Sequence, residues 1–319
     1  MGLFSLPLLI WWKPKLNAFV ASRIMKFGKL SDISQVDFSL PNDHSGTKAA
    51  LAKGKTSLKI YQGGTMWNIP DWIGKIFPEK TPKKDLMKAY GTAFGTIELN
   101  ATHYKIPTKE VVRNWHDAMP SDFKFCPKFP QLISHYRRFK NCEGLTDEFL
   151  EAIMELKDKL SFSFIQLPPN FTAQHADALS DYLHTLPRDM KFALEFRHES
   201  WFEPNERSLG IWKTMEECGI ASVITDTAGR RDAVHMRLTT PHCIVRFGGN
   251  ELDQSDTKRL EQWVDRIEQW QKQGLEEFQL WIHQPDSVLT PETSQIFAAL
   301  VRQQLKINVK TPVISQKLF

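Results

Sequence analysis

The chain has 319 residues, 41% hydrophobic and 24% charged, which is the balance of a globular protein with room for one large domain or two ordinary ones. Its 41 basic and 37 acidic side chains leave a formal charge of +4, and no long basic run accompanies that small excess, so general electrostatic tracking of nucleic acid is not implied. The four cysteines, Cys126, Cys142, Cys218 and Cys243, include no Cys-x-x-Cys pair, which argues against a disulfide framework or zinc knuckle and fits a reducing, cytoplasmic setting.

Leu3–Trp12 is strongly apolar, but at about ten residues it has half the length of a membrane-spanning helix, and it lacks the basic start of a signal peptide. Met25 is an alternative start. Asp37, Ser39, Pro41, Asn42, Asp43 and Gly46 make the following stretch rich in turns. Residues 1–56 are therefore expected to form a partly ordered extension, either loose or docked as a strap.

Beyond it, eight short apolar segments read as strands: Leu58–Gln62, Thr96–Asn100, Phe123–Lys128, Phe162–Gln166, Phe192–Arg197, Ala221–Asp226, Cys243–Arg246 and Phe278–His283. Helical patterns separate most of them. Thr81-Pro82 opens the first helix, and Leu86, Tyr90 and Phe94 continue it at four-residue spacing. Thr108 opens the second. Thr146–Lys159 carries the third, Ala176–Leu183 the fourth and Ile211–Met215 part of the fifth. Leu260, Trp263, Val264, Ile267 and Trp270 form a late amphipathic stripe, and Thr290-Pro291 starts a closing helix. Pro168-Pro169 stops the fourth strand, because proline lacks the ladder donor.

Eight strand–helix units fit a TIM-barrel-like (β/α)8 barrel over residues 57–307, with 308–319 as a tail. A doubly wound α/β sheet alternates in the same way, but only the pair Gly63-Gly64 follows the first strand, with no Gly-x-Gly-x-x-Gly turn.

Barrels place chemistry at the C-terminal ends of their strands. There this chain offers Glu98, Asn100, Lys128, Gln166, Glu195, Arg197, Asp226, Arg246 and His283. A carboxylate can move a proton, an arginine fork grips a carboxylate or phosphate, and an imidazole titrates near neutral pH. Glu98, Glu195, Asp226 and His283 are the candidate catalytic groups. Plainer roles compete: a Glu195–Arg197 ion pair at the rim, a cap at Asp226, backbone satisfaction by Gln166 and a structural His283. The four candidate groups also offer oxygen and nitrogen ligands, but without close metal-ligand spacing, so no metal or other cofactor is expected.

Four ordered blocks resemble one family. They are Ile97-Glu98-Leu99-Asn100-Ala101-Thr102-His103-Tyr104, Phe123–Lys128, Gln166-Leu167-Pro168-Pro169 and Glu195-Phe196-Arg197-His198-Glu199-Ser200-Trp201. Together with Gly64-Thr65, Trp67, Trp72, Phe77 and Pro78, they resemble the YecE-like family, domain-of-unknown-function family 72. The resemblance implies a TIM-barrel-like fold and no particular reaction. Its matched positions imply a pocket at Glu98, Asn100, Thr102, Tyr104, Lys128, Gln166, Glu195, Arg197 and His198. Arg246 matches a late arginine, but Gly248 stands where that pattern carries histidine, His283-Gln284 replace a pair of asparagines, and His103 stands where phenylalanine is frequent. His283 is a candidate replacement for the missing imidazole.

The expected function is that of a small-molecule enzyme acting on an anionic substrate by acid–base chemistry. Asn100, Thr102, Tyr104, Lys128, Gln166, Arg197, His198 and Arg246 would bind, with an anion beside Lys128 and Arg197. The alternatives are a non-catalytic module binding an anion or single-stranded nucleic acid, or a structural barrel that contacts partners through residues 1–56. No membrane partner is expected, and the oligomeric state is left open.

Overall fold

The computed structural model describes residues 28–315, so the expectations for Leu3–Trp12 and Met25 lie outside the described residues. Strands and helices alternate. The first half runs α1 (Thr47–Leu51), β1 (Lys59–Gly63), α2 (Leu86–Ala93), β2 (Thr96–Leu99), α3 (Ala101–Tyr104), α4 (Lys109–Ala118), β3 (Lys124–Pro127), α5 (Glu143–Ile153) and β4 (Ser163–Gln166). The second runs α6 (Ala176–Thr185), β5 (Phe192–Glu195), α7 (Glu206–Cys218), β6 (Ala221–Asp226), β7 (His242–Gly248), α8 (Gln254–Gln271), β8 (Glu277–His283) and α9 (Thr290–Leu305).

The molecule is an α/β protein whose strands pair in parallel. Six lie side by side in the order β1-β8-β7-β6-β5-β4, and β2 pairs with β3. The two groups also touch at both ends. Between β1 and β2, Glu98 N donates to Gly64 O at 3.1 Å and Gly95 N donates to Gln62 O at 3.1 Å. Beyond β3, Lys128 bridges Phe164 in parallel register, and Phe129 N donates to Phe164 O at 2.9 Å. Glycine at the end of β1 permits the first approach: a Cβ on Gly63 would stand 1.8 Å from Thr96 O. Tyr90 pins the same place, its hydroxyl accepting from Gly64 N at 2.7 Å and donating to Thr96 O at 2.9 Å.

The strands are buried on both faces, as parallel strands under helices are. Two large apolar clusters pack strands against helices, one around Trp72, Phe94, Phe129 and Trp201, the other around Trp263, Trp270, Phe278 and Phe297. A third cluster, including Cys126, Phe164, Ala193, Val223, Ile244 and Trp281, is built almost wholly from strand residues. All four cysteines are buried and free.

Local chemistry sets several helix ends. The Thr108 hydroxyl accepts from Val111 N at the start of α4, Asn205 and Ser208 form a capping box on α7, and Gly219 closes α7 with a φ of 69°. Two expected helices differ. Thr81 does not cap: its hydroxyl donates to Pro78 O at 2.6 Å, and α2 begins only at Leu86 after a 3-10 turn. The Thr146–Lys159 segment starts earlier, at Glu143, and leaves α-helical form at Met154. There Lys157 turns with a φ of 49°, and Lys159 donates to His116 O and Met119 O at the C-terminal end of α4.

Residues 28–56 lie against the strands and α8. Gly28 O accepts from Gly229 N at 2.8 Å, Leu40 N donates to Gln262 at 2.8 Å, and Asp43 accepts from Arg266 and from Trp270 Nε1. After α9 the chain crosses back, where Lys310 pairs with Asp122 at 2.6 Å and Ser315 N donates to Lys75 O at 2.8 Å. No helix among the described residues is long and apolar enough to cross a membrane.

Candidate active site

Side chains alternate along a strand, so every second residue lies on the face away from the helices, where the strand-built apolar cluster packs. At the C-terminal ends this places Glu98 (β2), Gln166 (β4), Glu195 (β5), Thr225 (β6), Arg246 (β7) and His283 (β8) in one layer. Lys128 and Arg197 join it from the residues just past β3 and β5.

Arg246 is the hub. Its Nε and Nη2 donate to the two carboxylate oxygens of Glu98 at 2.8 and 3.0 Å, and its Nη1 donates to Glu195 Oε1 at 2.9 Å. The first contact is the bidentate fork that arginine geometry favours. Glu195 Oε1 also accepts from Arg197 Nε at 2.8 Å and from the Thr225 hydroxyl at 2.8 Å. Its other oxygen accepts from Gln166 Nε2 at 2.7 Å, and Gln166 Oε1 accepts from Lys128 Nζ at 2.9 Å. Glu98 further accepts from Asn100 at 3.0 Å and meets His283 Nε2 at 2.6 Å.

Electrostatics fix the charge states. Burial alone would raise the Glu98 carboxyl, but Arg246 and His283 outweigh it and hold Glu98 well below the usual carboxylate range. Burial also works against the Glu195 charge, and Arg197 and Arg246 overcome it, setting this carboxyl at about 2. Burial pushes His283 below the ordinary imidazole value, with Glu98 offsetting part of the effect, so the ring is neutral near pH 7. A neutral imidazole beside an ionised carboxylate must present its N–H there. Nε2 is therefore the donor, and Nδ1 keeps its lone pair. Burial likewise pushes the Lys128 amine down to about 7.

A cavity of about 320 Å³ opens at this layer, with Thr65, Gly248, Gly249, His283 and Gln284 on its wall and Gly28–Ile33 across it. His283 is the cluster side chain that reaches the cavity, and the N-terminal segment lies over this part of the strand ends. Gly248 is directly opposite His283 in the β7–β8 register. The imidazole thus stands one strand away from position 248, at the same level. A Cβ on Gly248 would come within 2.9 Å of the Thr227 hydroxyl.

Several expected site residues stand elsewhere. Asp226 follows the inward-facing Thr225, so it points out toward α8, where Arg259 and Trp263 Nε1 donate to it, joined by Arg231 from the turn after β6. Tyr104 is 72% exposed. His198 receives the Ser200 backbone N–H and its ring faces the Ser200 hydroxyl, an arrangement that caps a turn. The Thr102 hydroxyl faces Leu99 O and Lys128 O and ties backbone to backbone. The four residues considered as metal ligands therefore do not converge, since Arg246 separates Glu98 from Glu195 and Asp226 faces away. Thr225 is the cluster residue that the sequence reading missed. Strand parity was the available signal, two residues on from Val223.

A family model described as protein of unknown function DUF72 matches residues 61–316. The UPF0759 proteins YecE of Escherichia coli O157:H7 and of strain K12 are each 29% identical over 276 residues, covering 81% of this chain and 98% of theirs. The UPF0759 protein YunF of Bacillus subtilis strain 168 is 30% identical over 165 residues, 48% of this chain and 57% of its own. A crystal structure of a DUF72 family protein from Enterococcus faecalis V583 shares the fold, with a TM-score of 0.60 at 19% identity over 81% of this chain and 99% of that one. The sequence blocks around Glu98, Lys128, Gln166 and Glu195 thus resemble the family that the match over residues 61–316 identifies: this chain belongs to the DUF72 family.

Proposed function

We propose that this protein is a small-molecule enzyme that binds an anionic substrate at the C-terminal strand ends and moves a proton through His283, oriented by Glu98. The observation that carries the reading is the imidazole on the cavity wall, hydrogen-bonded at 2.6 Å to a fully buried carboxylate. A carboxylate on one ring nitrogen fixes the tautomer and leaves the other nitrogen as a base, and it stabilises the imidazolium that forms. The reading takes the eight strands as a closed, TIM-barrel-like ring. Hydrogen bonds at both junctions of the two strand groups and the apolar cluster built from strands support that closure.

Anion binding is supported by the charge balance. Arg197 and Arg246 already offset Glu195 and Glu98, so the two carboxylates present no excess negative charge to an incoming anion. The four cysteines, all buried and free of disulfide pairing, support a reducing setting such as the cytoplasm.

The test is turnover of a panel of small carboxylates and phosphate esters, followed by NMR, with wild type and His283→Gln. Wild type is expected to convert at least one compound, and the variant to do so about 10²–10⁴-fold more slowly, the range for losing a positioned base. Lowering the pH protonates the base and reduces the rate. Because the His283 value is lowered, this loss is expected below the ordinary histidine range of about 6.5. Turnover that survives His283→Gln unchanged removes the assignment.

A further inference from the structure

Lys128 differs from every other cation in the cluster. It is 7% exposed, yet among the described residues no carboxylate oxygen lies within ion-pair distance of its amine, whereas Arg197 and Arg246 each hold one or more. Its hydrogen-bond partner is the neutral amide oxygen of Gln166, and the Phe164 ring lies 5.8 Å away. That amide cannot turn away, because its nitrogen is held by Glu195 at 2.7 Å. Buried Lys159 makes the contrast: two backbone carbonyls, at 2.6 and 2.7 Å, receive its ammonium. Lys128 has one acceptor for three possible protons. Its surroundings therefore solvate an amine with a lone pair better than an ammonium ion.

We propose that Lys128 is a nucleophile that forms an imine with a carbonyl carbon of the substrate, so that the substrate class is a small aldehyde or ketone bearing a carboxylate or phosphate. The proposal rests on the anionic-substrate reading and deepens it, with Arg197 as the anchor for the anionic group. The amine lone pair attacks the carbonyl carbon, and the carbonyl oxygen takes up a proton. The resulting carbinolamine then loses that oxygen as water, together with a nitrogen-bound proton. One C=N bond forms, one C=O bond breaks, and nothing is oxidised or reduced. A neutral amine is the reacting form, and burial sets Lys128 near 7 where a free lysine stays charged until far higher pH. The charged groups that face it are Glu98, Glu195, Arg197 and Arg246, with His103 and His135 on the loop side. Both of those rings are pushed down by burial, to about 3 and about 4, so they are neutral at pH 7.

The experiment is reductive trapping with glyoxylate and sodium cyanoborohydride on the intact protein at pH 7, with the modified lysines located by peptide mass spectrometry. Cyanoborohydride supplies the hydride that turns the imine into a stable carboxymethyl amine. Lys128 is expected to be labelled at least about 10-fold faster than exposed lysines such as Lys48 and Lys53, because burial favours the neutral, reactive amine. The advantage should shrink toward pH 10. Lys128→Met removes the adduct, and Lys128→Arg, which keeps a cation and the packing volume, removes it as well. Surface labelling with an unmodified Lys128 overturns the proposal. Phosphate titration of the same samples separates the two readings, since phosphate binding without Lys128 labelling retires the imine and leaves the anionic-substrate site standing.

Discussion

Replacing Arg246 with methionine is expected to cost about 3–5 kcal/mol of stability at pH 7–8, the range for removing one partner of a buried ion pair. Arg246 is 3% exposed and bonds both Glu98 and Glu195, each 0% exposed, so its loss strands two buried carboxylates. The pH profile should also reverse. In wild type both carboxyls titrate below their ordinary values, Glu195 at about 2. They therefore contribute stability that is present above the unfolded value of about 4.3 and lost as pH falls through the folded value. In the variant burial dominates, the Glu98 carboxyl titrates above its unfolded value, and stability is lost as pH rises through that raised value. Urea unfolding at pH 5 and pH 8 checks this. The variant should be more stable at pH 5 than at pH 8, and a loss relative to wild type below about 1 kcal/mol at both values would show that the cluster is not held by this fork.

The second large effect is expected away from the cluster. Asp226 is 0% exposed and receives Arg259 Nη1 at 3.1 Å and Trp263 Nε1 at 2.8 Å, with Arg231 as a third donor. Arg259 is itself fully buried between the rings of Phe38 and Phe247, at 5.0 and 4.2 Å, and also pairs with Asp256 at 2.7 Å. Asp226→Ala leaves an indole N–H and part of a buried guanidinium charge uncompensated, which should again cost about 3–5 kcal/mol. Phe38 belongs to the N-terminal segment, and Arg231 stacks on it at 5.4 Å. The same variant should therefore expose residues 28–40 to limited proteolysis. Its turnover per folded molecule should stay within a factor of a few of wild type. A stable Asp226→Ala protein that has lost turnover would place Asp226 in the chemistry after all.

The different placements of Glu98 and Asp226 show what the sequence could carry. Glu98, Glu195, Arg246 and His283 were legible because each lies within the last three residues of an apolar strand, and a charge there, buried on both sides, needs a partner. Asp226 ends such a run as well, but it points the other way. Ala221 and Val223 face the interior while Ile224 packs against helices, so both faces of β6 are apolar and composition does not mark the inner one. Thr225 went unseen because a hydroxyl in a strand reads as β propensity. The docking of residues 28–46 was illegible for another reason. It relies on isolated groups such as Gly28 O and Asp43 rather than a periodic apolar stripe. The break in the third helix was hidden likewise, since nothing in the residue type of Lys157 announces a left-handed turn.

The most direct measurement is diffraction from crystals soaked in phosphate or a small carboxylate and compared with unsoaked crystals. The expected result is an oxyanion within hydrogen-bond reach of the Arg197 guanidinium and beside Lys128, reached past His283 from the cavity under Gly28–Ile33. Anions confined to the outer surface, with the Glu98–Arg246–Glu195 cluster unchanged and closed to every soaked compound, would contradict a substrate site at the strand ends and leave the cluster as a structural ion-pair network.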